Sequence, residues 1–147
     1  MTEPLVHEID VACPIDHAFA TFTEKVDLWW PKGHRRFDVS TLHHDAFEGG
    51  QLIERSPNGE AFVLADVTVC TPPHRIELDW HPGKITAPTK TVVTFKALSD
   101  AEVRVTVTHS EGAAKLGAEW PTRAALFDRG WSAVLTEFKN FIEEAST

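Results

Sequence analysis

The sequence contains no tyrosine and only two cysteines among its 147 residues. Without a phenol, chemistry that needs a phenolic acid is closed to it. Cys13 and Cys70 form neither a CxxC pair nor a zinc-finger spacing, so they are expected as free structural thiols, with no metal and no cofactor. Basic residues are scarce. Lys plus Arg number 14 against 22 Asp plus Glu, a net charge of −8. That balance argues against wholesale binding of nucleic acid or anionic membrane, because neutralising phosphates needs clustered cations. Long apolar runs are missing too: the longest, Ala61 to Ala65, is far too short to cross a bilayer. Met1-Thr2-Glu3-Pro4 is acidic and starts no apolar stretch, so no signal peptide is expected, and the location is expected to be cytoplasmic.

What is present suits one globular domain over residues 1–147, with 42% hydrophobic and 24% charged residues. Five Trp and nine Phe imply a thick core or a lined cavity. Leu5, His7, Ile9 and Val11 alternate as one face of a strand, and Ile15, Ala18, Phe19, Phe22 and Val26 follow at helical spacing after Pro14. Turn signals then come at short intervals: Gly49-Gly50, Pro57-Asn58-Gly59, Pro72-Pro73, His81-Pro82-Gly83 and Ser99-Asp100. They separate strands expected near Arg36–Leu42, Gln51–Ser56, Ala61–Thr71, Arg75–Trp80, Thr89–Ala97 and Glu102–His109. Such short connections require antiparallel pairing. A long helix opens at Trp120-Pro121-Thr122 and carries the apolar stripe Phe127, Trp131, Val134, Phe138 and Phe141. Gly130 inside that stripe signals a close neighbour or a ligand at the helix backbone. The predicted class is α+β, a curved antiparallel sheet wrapped on the C-terminal helix.

Five segments carry a family resemblance. Ala65–Trp80, with its central Pro72-Pro73, resembles a strand–PP–strand hairpin ending in Trp, and Trp29-Trp30-Pro31 resembles an aromatic segment following the first helix. Gly49-Gly50, the strand Val105–His109 ending in Thr-His, and Phe127-x-x-Gly130-Trp131-x-x-Val134-Leu135 complete the set. Together they resemble the START-like (SRPBCC) homologues of the activator of the heat-shock-protein-90 ATPase. The resemblance implies a helix-grip, Bet v 1-like fold with an internal cavity between sheet and helix. The eukaryotic activators carry a separate chaperone-binding domain for which 147 residues leave no room, so a cavity rather than a chaperone role is implied.

The cavity would be lined by His7, Trp29, Trp30, Trp80, Phe95, His109, Phe127 and Trp131, an apolar surface with histidines as polar anchors. Binding of a small apolar or amphipathic molecule, without assignable catalysis, is the leading expectation. Two others stand beside it: a cyclase, dehydratase or hydrolase using His109 as general base, oriented by Glu54, Glu77 or Asp79 if they face inward, and a module that docks a chaperone or another protein, as monomer or homodimer. His43-His44-Asp45 reads as a solvated loop rather than a metal site. Lys32-Gly33-His34-Arg35-Arg36, the basic cluster of an acidic chain, would hold an anionic group or remain solvated.

Overall fold

The computed structural model describes residues 3–35, 37, 39–81 and 88–145. Seven strands form one antiparallel sheet: β1 (Leu5–Val11), β2 (Thr41–His44), β3 (Gln51–Arg55), β4 (Ala61–Thr71), β5 (Arg75–Trp80), β6 (Thr89–Ser99) and β7 (Glu102–Ser110). Their spatial order is β1-β7-β6-β5-β4-β3-β2, so only the first strand is displaced from its place in sequence. Helix α1 (Ile15–Thr23) and the single turn α2 (Val26–Trp29) fill the crossover from β1 to β2, and α3 (Trp120–Ala145) closes the chain.

Strand alternation explains the curl and the core. Ile76 and Leu78 on β5, Val93 and Phe95 on β6, and Val103, Val105 and Val107 on β7 all turn inward and are buried. Phe138 and Ile142 of α3 are also fully buried, in the same core cluster as Phe19 and Phe22 of α1. The expected aromatic stripe thus lies on the buried face of the helix. Phe22 meets Phe95 and Phe138 edge-on at 5.6 and 5.4 Å, a favoured ring geometry. This is the helix-grip arrangement.

The paired glycines have a steric cause. Gly49 adopts φ +92°, which side chains resist, and a Cβ on Gly50 would sit 2.3 Å from the Asp45 carbonyl oxygen. The pair hydrogen-bonds both ways with Val67, at the irregularity where β4 shifts register against β5.

Two expectations are corrected. The strand placed near Arg36–Leu42 is instead Thr41–His44, paired with Arg55–Leu52 of β3; Arg36 and Asp38 lie outside the described residues. His43 and His44 are therefore on a strand and not in a solvated loop. They point to opposite faces, and His44 is buried while His43 stays in water beside Asp45. In the expected turn His81-Pro82-Gly83, Pro82 and Gly83 are outside the described residues.

Candidate functional site

Arg35 sets the position of the segment that crosses α3. Its guanidinium donates to the Asp27 carboxylate at 2.9 Å and to the carbonyls of Asp27, Trp30 and Ser40 at 2.7, 3.1 and 3.1 Å. Asp27 also accepts the Leu42 N–H at 2.8 Å, which ties α2 to β2. A planar fork with five donors suits this multiple capture, and a lysine has no equivalent. The basic cluster is thus partly structural: Arg35 is committed inward rather than offered to an anion, and Arg36 lies outside the described residues.

The pinned segment forms one wall of a pocket of about 200 Å³, open on one side. Trp30 and His34 come from the segment, Trp80 from the end of β5, and Leu126, Phe127, Gly130, Trp131 and Val134 from α3. The rings of Trp30, Trp80 and Trp131 stand 5.7 to 6.3 Å apart, centroid to centroid, and all three line the pocket. Gly130 leaves a notch: a Cβ there would meet only the His34 ring, at an ordinary 3.9 Å. No clash forbids a side chain at Gly130. Among the described residues, the lining contains no carboxylate, lysine or arginine.

Four of the eight expected residues, Trp30, Trp80, Phe127 and Trp131, meet at this pocket. The other four are elsewhere. Trp29 turns into the core, donates to the Thr21 carbonyl at 2.8 Å and packs on Phe22 and Phe138. Phe95 is buried against Phe19 and Phe22. His7 sits in a separate polar groove and pairs with Asp128 of α3 at 2.6 Å.

His109 is fully buried behind the pocket wall. Its Nδ1 accepts the Trp131 indole N–H at 2.9 Å, and its Nε2 lies 2.7 Å from the Thr89 hydroxyl. An indole N–H only donates, so Nδ1 must be the bare nitrogen and Nε2 carries the hydrogen. Phe127 stacks on the ring at 4.2 Å. Burial lowers its pKa from 6.5 to about 4. The general-base expectation is thereby corrected: the one lone pair of the neutral ring is already used by Trp131, and the ring has no open face to a substrate. The residues considered as its orienters are also elsewhere, with Glu54 buried on β3 and bonded to the Phe37 N–H, and Glu77 paired with Arg75 and Lys90.

Sequence reasoning missed His34 as a pocket residue. Its place depends on the Arg35 fork and on a short 3-10 turn over Lys32–His34, neither of which has a periodic signature. Among the described residues, no group of three His, Cys, Asp or Glu gathers to hold a metal, and no helix is long and apolar enough to cross a membrane.

Comparisons place this geometry among known proteins. The sequence profile described as Activator of Hsp90 ATPase homolog 1-like protein matches residues 12–143. Similar solved structures include the self-sacrificing resistance protein CalC from Micromonospora echinospora, with TM-score 0.71, 23% identity and coverage of 98% of this chain and 96% of that one. The anthrahydroquino-γ-pyrone synthase Txn09 gives TM-score 0.64 and 24% identity over 94% and 96% of the two chains. The Aha1 dimer from Colwellia psychrerythraea gives 0.66 and 15% over 95% and 96%. Comparison with curated proteins by sequence gives no match.

Proposed function

The chain belongs to the family of Activator of Hsp90 ATPase homolog 1-like proteins, and from that premise we propose that it binds a small, neutral, ring-containing molecule in the pocket over Gly130. The observation that carries this reading is the lining: three tryptophans and a phenylalanine around a notch at Gly130 where even a Cβ would meet only the His34 ring, at 3.9 Å. Size narrows the class. An apolar cavity of roughly 150 Å³ takes benzene, and drug-sized sites run to about 300–1,000 Å³. At about 200 Å³ the pocket matches one or two rings. Charge narrows it further, because an ionised ligand would be desolvated with no counter-charge among the described lining residues. The structural relatives include a synthase, a resistance protein and an Aha1 dimer, and a shared fold does not choose among such activities.

Equilibrium dialysis against 2-naphthol tests the reading. Wild-type protein is expected to bind about one molecule per chain. Gly130→Leu, which keeps or raises helix propensity while filling the notch, is expected to lose that binding. Absence of saturable binding by the wild type, or equal binding by the folded variant, would overturn the proposal.

A second reading, pairing with another copy of the chain, is suggested by the dimeric Aha1 relative, with exposed Phe47 as a residue whose replacement tests it. Sedimentation equilibrium reads it directly. A dimer mass that falls to monomer when Phe47 becomes Ser supports it, and a monomer at all concentrations ends it.

A further inference from the structure

The pocket and the polar groove meet at one side chain. On α3, Leu126, Phe127, Gly130, Trp131 and Val134 face the apolar pocket, while Asp128, Arg129, Ser132, Thr136 and others face the groove. The crossing segment divides in the same way: Trp30 belongs to the pocket and Pro31 and Gly33 to the groove. His34 belongs to both. Its ring reaches to 3.9 Å from where a Gly130 Cβ would stand, so it lies across the notch as the partition between the two compartments.

Four of the other histidines are committed to partners. His7 is paired to Asp128, His109 is held by Thr89 and Trp131, and His43 and His81 are paired to Asp45 and Asp66. Among the described residues, no hydrogen bond reaches the His34 ring. A neutral imidazole offers one donor and one acceptor nitrogen. At the rim of a lining whose described residues include no carboxylate, lysine or arginine, its ring nitrogens can read a polar substituent, as donor or as acceptor, on a ligand whose rings fill the pocket.

We propose that His34 is the specificity-determining residue of the site, hydrogen-bonding a hydroxyl or carbonyl substituent of an aromatic ligand at the junction of pocket and groove. The preferred ligand class is therefore a one- or two-ring aromatic with a hydrogen-bonding group at one end, rather than a plain hydrocarbon. This assignment rests on the pocket being a binding site at all, and the test separates the two.

Equilibrium dialysis compares 2-naphthol with 2-methylnaphthalene, which keeps the rings and replaces the hydroxyl by a methyl group. Wild-type protein is expected to prefer 2-naphthol by about 2- to 13-fold, the range of one neutral hydrogen bond. His34→Phe keeps a ring over Gly130 without its nitrogens, and it is expected to bind both probes with the hydroxyl preference erased. His34→Gln is expected to restore part of the preference. Equal affinities in the wild type, or a preference that survives in His34→Phe, would overturn the role of His34 while leaving the pocket intact. Failure of both probes to bind the wild type would overturn the pocket reading and this assignment together.

Discussion

Removing the imidazole of His109 leaves the Trp131 N–H and the Thr89 hydroxyl facing a hole in the core. A buried donor left unsatisfied costs about 1–3 kcal/mol, and the lost packing against Phe127 adds a cavity term. His109→Ala is therefore expected to destabilise the fold by about 3–5 kcal/mol in urea unfolding. A change below about 1 kcal/mol would mean that the ring is not the tie described here. The inward phase of this histidine was legible in the alternation of Val103, Val105 and Val107. Its role was not. Its partners come from β6 and α3, and no sequence-local pattern announces a hydrogen bond across such distances.

Among the elements, the segment from α2 to β2 has the least regular structure and the largest consequence for the site. Arg35 holds it by four hydrogen bonds, so Arg35→Ala should loosen the Trp30 and His34 wall as well as the fold. Hydrogen bonds to a charged group contribute about 1.5–3 kcal/mol, and the expected loss of stability lies in that range. Binding of 2-naphthol should weaken by several-fold in the same variant. Undiminished affinity in Arg35→Ala, measured by dialysis well below the unfolding midpoint, would contradict the wall's dependence on the fork. The longer elements were readable beforehand because each repeats its burial signal: β4 and β6 are 11 residues each, and α3 has 26. Edge strand β2 has four residues, one of its two buried positions is the histidine His44, and pairing with β3 places it. Hydrophobic periodicity cannot find a strand whose inward face is half polar. The one-turn α2 escapes for a similar reason: Val26 and Trp29 are its buried pair, too few for a period to show.

For the molecule as a whole, two buried histidines set the acid response. Burial lowers His109 and His44 from 6.5 to about 4; for His44 the nearby Asp45 opposes that shift and His43 adds to it. Unfolding releases both rings to water, where they take up protons below about pH 6.5. The stability they contribute is therefore complete above pH 6.5 and is lost as pH falls toward 4, on the order of a few kcal/mol. The carboxylates held low by partners, Asp10 by Arg104 and Glu77 by Arg75, lose their contribution only at the acid end of that window and below it. Urea midpoints should fall between pH 7 and pH 5, with a shallower fall in His109→Gln. Equal slopes in the two proteins would contradict the buried neutral state of His109. The central claim, that the site is the pocket over Gly130 and not the core behind it, is read most directly by the five indole N–H resonances of the tryptophans during a 2-naphthol titration. Trp30, Trp80 and Trp131 line the pocket, whereas the Trp29 N–H is bonded to Thr21 and the Trp120 N–H to Glu3. Saturable shifts of the first three with the last two unmoved are predicted; shifts centred on Trp29 or Trp120, or none that saturate, would contradict the account.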